Sequence, residues 1–202
     1  MIFGKSATRL ILASASPRRA EILRNAGFEF ETHATDADES RRARESAATY
    51  VRRVANAKAR AAAEKFAGKS GRTIVIGADT VVVANGKILG KPSDVKDARR
   101  MLRLLSGKTH RVLTGLAIVS LPDGAERHHV ETTRVRFRKM SNAEIDDYIA
   151  TGEPFGKAGA YAIQGIGGRY ITQIEGCYFN VVGLPLARLC KVLATLGWRS
   201  GL

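Results

Sequence analysis

Apolar positions Leu10 to Ala13 form a short run, and after Ser16-Pro17 the residues Ile22, Leu23 and Ala26 recur at helical spacing until Gly27. This pattern predicts a strand followed by an amphipathic helix, with Ser16 as N-cap and Pro17 as its first residue. FEFETH alternates weakly and predicts a second strand running into the acidic loop ATDADES. A basic helix is expected after that loop, its apolar stripe being Val51, Val54, Ala55, Ala61, Ala62 and Phe66. RTIVIGADTVVVANGKILGKP then carries β-branched runs on both sides of Gly77-Ala78-Asp79-Thr80, and Asn85-Gly86 signals a type I′ hairpin. Residues 94 to 105 predict a helix, and Thr109 to Val119 a buried strand interrupted at Thr114-Gly115. Pro122-Asp123-Gly124 turns the chain into a strand ending near Val135 and Phe137, and Ser141 with Glu144 forms a capping box for a helix that Gly152 ends. The Gly-rich stretch EPFGKAGAYAIQGIGG permits close backbone approach to a ligand; the strand RYITQIEG, the turn CYFNVVGLP and a helix over residues 185 to 196 follow. Strands alternating with helices, then an antiparallel hairpin, place the chain in the α/β class with a mixed sheet.

The chain has 202 residues, of which 45% are hydrophobic, and shows no break in composition, so a single domain over residues 1–202 is expected. It has no apolar run of membrane-spanning length and no apolar leader, which predicts a cytoplasmic protein with no membrane partner. Cys177 and Cys190 form no C-x-x-C pair, and His33, His110, His128 and His129 lack zinc spacing. The net charge of +14 is uneven: residues 41 to 65 hold eight Lys and Arg against Glu45 and Glu64. Such a surface attracts anions, or is simply a solvated face. Only Tyr50 and Phe66 lie among these charges, so stable nucleic-acid binding is not expected.

Charge placement narrows the chemistry. Arg18 and Arg19 fall in the first turn of a helix, where the macrodipole makes each cation cost a few tenths of a kcal/mol. With Ser14 and Ser16 they complete a cradle for an anion at the helix N-terminus. Lys58 lies near the centre of an apolar stripe, where it must snorkel or meet an anion. Asp79 interrupts the most hydrophobic part of the chain; it either makes an Asx turn between two strands or is paired, hydrogen-bonded or bound to metal. Glu39 and Lys91 in neighbouring loops weigh toward function. Glu39 and Asp79 are separated carboxylates able to hold Mg²⁺, which together with the lysines suits phosphoryl chemistry. There is no Walker A sequence and no kinase signature. A protein that merely sensed nucleotides would need the cationic cradle but not Asp79.

SASPRR, Asp38-Glu39, the lysine of NAKA, GADTVV, GKP, SGKTHRVLTG, GEPFGKAGAYAIQG and NVVGLP, in that order, resemble the Maf family of nucleoside triphosphate pyrophosphatases. The resemblance implies an elongated α/β fold related to inosine triphosphate pyrophosphatases, with a mixed sheet at the base of a deep cleft between two lobes, and a homodimer. It implies that Asp79 is the catalytic carboxylate and that Glu39 helps it hold a divalent cation, Mg²⁺ or Mn²⁺; whether Asp79 acts as base or as ligand stays open. Ser14, Arg19, Lys58 and Lys91 would hold the triphosphate, and Arg18, Thr80 and Gln164 would distinguish substrate subgroups. In the subgroup similar to 7-methyl-GTP pyrophosphatases these three positions are usually aromatic, Gln and Glu. Arg, Thr and Gln therefore imply dTTP and UTP as substrates, a Gln amide being able to satisfy both the acceptor and the N–H of a uracil or thymine edge. The alternatives are a 7-methyl-GTP pyrophosphatase and a non-catalytic nucleotide- or nucleic-acid-binding regulator. The family resemblance also implies roles in excluding modified nucleotides and in cell division arrest. Gly156 stands where the family often has Asp, and Cys177 and Phe179 where it often has Ser.

Overall fold

Main-chain pairing builds one seven-stranded sheet within residues 8–198, the part of the chain that the computed structural model describes. The order of elements is β1 (Arg9–Ala13), α1 (Pro17–Asn25), β2 (Glu31–Thr32), α2 (Ala47–Phe66), β3 (Thr73–Ala84), β4 (Lys87–Leu89), α3 (Val95–Leu105), β5 (Thr109–Leu121), β6 (Glu126–Phe137), α4 (Asn142–Ala150), β7 (Ile171–Glu175), α5 (Tyr178–Val182) and α6 (Leu186–Thr195). The strands lie in the order β2-β1-β3-β5-β6-β7, with β4 paired to β3. β1 runs parallel to β2 and β3, whereas β3–β4 and β6–β7 are antiparallel, so the sheet is mixed, as expected. The chain divides into two compact units. One runs through Asp79 and adds Gly115–Val130 and the chain from Gly183; the other comprises Thr80–Thr114 and Glu131–Val182. Strands β3, β5 and β6 each contribute residues to both.

In the first unit, α2 lies directly on the sheet, and two glycines allow it. A Cβ on Gly77 would overlap the Ala55 carbonyl oxygen and come within 2.8 Å of the Ala59 nitrogen; a Cβ on Gly115 would overlap the Val51 carbonyl and come within 2.9 Å of the Arg52 nitrogen. Neither strand is interrupted. Gly115 sits inside a continuous β5, and Asp79 inside a continuous β3 rather than in a turn between two strands. These breaks in the apolar pattern record the approach of a helix. The alanines of α2 suit the same contact: Ala55, Ala59, Ala62 and Ala63 pack with Ile11, Ala13, Val75, Ala117 and Val119. Lys58 and Ala59 are buried, and Ala61, expected in the stripe, is half-buried. The helix begins at Ala47 with Ser46 as its N-cap, the Ser46 hydroxyl accepting from Thr49 N–H at 3.1 Å. Arg41, Arg42 and Arg44 therefore precede the helix.

We expect Gly115→Ala to destabilise the fold by at least ~2 kcal/mol, because the added methyl meets main chain that cannot rotate away. Gly90 has open space around its Cβ position, so Gly90→Ala should be near neutral. Urea midpoints of the two variants test the contrast.

The second unit packs α3 and α4 through Leu102, Leu105, Ile145, Tyr148 and Ile149 against Val82, Leu89, Val112, Val135 and Phe137. Asn85 and Gly86 take φ of 48° and 72° where Ala84 pairs with Lys87, the two-residue hairpin expected from Asn-Gly. The Ser141–Glu144 capping box is present with both reciprocal bonds. FEFETH yields only the two-residue strand β2, and the segment expected as a turn before Gly183 contains the short helix α5.

Candidate active site

The first unit holds six of the expected residues, Ser14, Arg18, Arg19, Glu39, Lys58 and Asp79. Arg19 occupies the first turn of α1 but does not point to solvent. It is 8% exposed, its Nη1 donates to Ser14 Oγ at 2.9 Å, and its Nε donates to the Gly183 carbonyl at 2.8 Å. Burial pulls its pKa down, and the nearby carboxylates of Asp79 and Glu39 oppose that pull. Arg18, half-buried, is also lowered by burial. Ser16 makes no side-chain cap, and its N–H donates to Ser14 Oγ at 3.2 Å. The hydroxyl of Ser14 thus organises the turn, and the N-terminus of α1 carries cations in place of the usual acidic residues.

Lys58 and Asp79 meet because of strand and helix periods. Gly77 and Asp79, two apart on β3, share the face that α2 covers, and Lys58 precedes Ala59, which packs over Gly77. Lys58 Nζ lies 2.9 Å from Asp79 Oδ1 and 2.7 Å from Glu39 Oε1. Lys58 is 8% and Asp79 7% exposed, so the first of these pairs is buried. Neither snorkelling nor an Asx turn describes these two residues.

Glu39 is exposed, and its loop is tied to α2 by Tyr50 and Arg53, neither of them among the expected site residues. Three consecutive carbonyls accept from them. Arg53 donates to Asp38 O at 3.3 Å and Ser40 O at 2.7 Å, and Tyr50 Oη donates to Glu39 O at 2.8 Å. Arg53 also grips both carboxylate oxygens of Glu45, at 2.7 and 2.9 Å, which holds Glu45 down to about 2. Burial, with Asp79 and Glu39 nearby, pushes Tyr50 up to about 12, so its hydroxyl stays a donor at neutral pH. The signal was available: Tyr50 and Arg53 are three residues apart on one helix, the spacing that puts two side chains on one face.

Thr80, Lys91 and Gln164 belong to the second unit. Thr80 Oγ1 lies 2.9 Å from Thr114 Oγ1, which donates to Asn180 O at 3.1 Å. Asn180 is fully buried, and its Nδ2 donates to Val112 O and Thr133 Oγ1, both at 3.0 Å. This chain of bonds accounts for the Thr of LTG and the Asn of NVVGLP. Lys91 is exposed after Gly90, whose carbonyl accepts from Gly159 N–H at 2.9 Å. Gln164 is exposed in the Gly-rich segment. Two of the glycines there make room for the protein's own side chains: a Cβ on Gly165 would overlap Glu153 Oε2, and one on Gly167 would lie 2.5 Å from Tyr148 Oη.

Glu39 and Asp79 each put one oxygen on a single cation, the Lys58 ammonium, so the two carboxylates already converge. Hard oxygen donors in this number fit Mg²⁺ or Mn²⁺, which commonly bind one or two carboxylates and complete their shell with water and substrate phosphates. Among the described residues no group of three or more His, Cys, Asp and Glu side chains is disposed to hold a metal by itself. No helix among them is long and apolar enough to cross a membrane.

Residues 9–196 match the family of Maf-like proteins. The chain is 50% identical over 188 residues to a dTTP/UTP pyrophosphatase of Koribacter versatilis (strain Ellin345), covering 93% of this chain and 94% of that one. It is also 50% identical over 191 residues to a dTTP/UTP pyrophosphatase of Hahella chejuensis (strain KCTC 2396), covering 94% and 92%. Among solved structures, the Staphylococcus aureus Ham1 protein aligns over 64% of this chain and 72% of its own, with 11% identity and a TM-score of 0.41. A nucleoside-triphosphatase / dITP/XTP pyrophosphatase from Mycobacterium abscessus aligns over 94% of both chains, with 15% identity and a TM-score of 0.37. With the family matched along nearly all of its described length, this chain belongs to the Maf-like proteins.

Proposed function

We propose that the chain is a nucleoside triphosphate pyrophosphatase that hydrolyses dTTP and UTP to the monophosphate and pyrophosphate. The observation that carries the reading is the buried ion pair between Lys58 of α2 and Asp79 inside an uninterrupted β3, in a chain half identical to proteins of that name. Burying a carboxylate in the most apolar strand is costly, and a fold that needed only packing would place Val there.

In the reaction the oxygen of water bonds to the α-phosphorus, the bond from that phosphorus to the bridging oxygen breaks, and pyrophosphate leaves with the electron pair. Asp79 orients the attacking water and accepts its proton, or holds the metal, with Lys58 fixing the carboxylate. Arg19, Ser14 and Lys91 neutralise and orient the phosphate oxygens. Glu39 and Asp79 would hold a divalent cation, which when bound polarises phosphate oxygens and offsets charge on the leaving pyrophosphate. Arg18, Thr80 and Gln164 decide which base is accepted. Arg53 and Arg60 are engaged with Glu45 and Glu126, which supports a solvated basic face and not a nucleic-acid footprint. We also propose, from the resemblance to the family and the absence of an apolar run of membrane-spanning length in the sequence, that the chain acts as one domain, in the cytoplasm and as a homodimer.

Pyrophosphate release from dTTP, UTP, CTP and 7-methyl-GTP with Mg²⁺ tests this, on the wild type and on Gln164→Glu. The expected result is a higher kcat/KM for dTTP and UTP, with the ranking changed in the variant. A wild-type preference for 7-methyl-GTP, or release from none of the four, overturns the assignment.

A further inference from the structure

We propose that Glu153 and Tyr148 are positioning residues for Gln164, setting base selectivity by clamping the main chain on both sides of it. The inference rests on the reading of Gln164 given above and extends it to two residues that touch no substrate.

The clamp consists of four hydrogen bonds. Tyr148 Oη donates to Glu153 Oε1 at 2.7 Å and accepts from Ala162 N–H at 3.2 Å, two residues before Gln164. Glu153 Oε2 accepts from Ile166 N–H and Oε1 from Gly167 N–H, both at 2.9 Å, two and three residues after it. Gln164 itself is exposed, so the segment is fixed at its flanks while the amide stays open. The anchor is rigid because Tyr148 is 1% exposed in the core formed by α3 and α4. Bonds from N–H groups to a carboxylate are stronger than neutral ones. Burial works against the Glu153 carboxylate, but Tyr148 and the two N–H groups outweigh it and hold its pKa below the usual range.

The glycines supply a second, independent observation. Neither Gly165 nor Gly167 has the positive φ that favours glycine, yet a Cβ on either would meet the clamp: Gly165 the Glu153 carboxylate, Gly167 the Tyr148 hydroxyl. At Gly165 the carboxylate occupies the space a side chain would need, and at Gly167 the hydroxyl does so together with the Ala162 main chain. Geometry around a base-reading amide matters because a hydrogen-bonding site discriminates only while its partners are in place.

The test is the ratio of kcat/KM for UTP over CTP in Glu153→Gln, Gly165→Ala and Tyr148→Phe, the last keeping the ring in the core should the others fold poorly. We expect the ratio to fall about 10-fold in Glu153→Gln and Gly165→Ala, and less in Tyr148→Phe, while turnover of CTP is nearly kept. Amide exchange of Ile166 and Gly167 should accelerate in the same variants. A ratio unchanged in the folded variants, or a parallel loss on every triphosphate, overturns the inference. Gln164→Ala separates the two levels. If it lowers the ratio while the clamp variants do not, the positioning role alone fails; if it leaves the ratio at the wild-type value, the base-reading role fails and the clamp has nothing to position.

Discussion

Asp79→Asn should lower turnover of dTTP by at least ~10²-fold while leaving the protein folded. Asparagine has nearly the same shape as aspartate and keeps an oxygen for the Lys58 ammonium, which retains Glu39 as its second partner at 2.7 Å. What disappears is the charge, and with it both a proton acceptor and a metal ligand. The measurement is pyrophosphate release at saturating dTTP and Mg²⁺, with near-ultraviolet circular dichroism to show that packing is intact. Turnover close to wild type would remove Asp79 from the chemistry. Titrating Mn²⁺ onto the same variant separates its two roles: weaker cation binding identifies a ligand, unchanged binding with lost turnover a base.

Lys58→Met should have the largest effect on stability, about 3–5 kcal/mol, because it leaves the Asp79 carboxylate buried without its contact partner. Methionine fills most of the volume of the lysine stem, so the loss reports charge and not a cavity. Arg19 remains near enough to interact with Asp79, which favours the lower end of the range. Combining Lys58→Met with Asp79→Leu should recover much of the loss, since replacing a buried pair by apolar groups is often neutral or stabilising. Urea unfolding of the two single variants and the double variant gives the coupling directly. A double variant no more stable than Lys58→Met would mean that the pair contributes little and that the loss arises from packing.

Local signals in the sequence were legible wherever neighbours in the chain cause the structure. Asn85-Gly86 makes its hairpin and Ser141-Glu144 its capping box because each needs only residues within a few positions. Asp79 and Lys58 stand out for a related reason, a charge in an apolar pattern being visible without knowing what it meets. The misread places depend on distant partners. Gly77 and Gly115 look like strand breaks until α2 is laid across them, and the Arg-rich stretch before Ala47 looks helical until Ser46 caps the helix. Tyr50 and Arg53 are ordinary on α2, and only their bonds to three successive carbonyls of the Glu39 loop give them a purpose. The glycines near Gln164 suggest a ligand because nothing in the local sequence shows that a glutamate from residue 153 fills the space.

The seat of α2 on β5 also constrains how this chain can change over generations. At Gly115 the three atoms nearest an added methyl are the carbonyl oxygen and carbon of Val51 and the nitrogen of Arg52, all of them common to every amino acid. An overlap between two side chains can be relieved by a second mutation that trims one of them. Here no codon offers a smaller atom at the point of collision, so a genetic screen for intragenic suppressors of Gly115→Ala should return reversion to glycine in preference to compensating substitutions in α2.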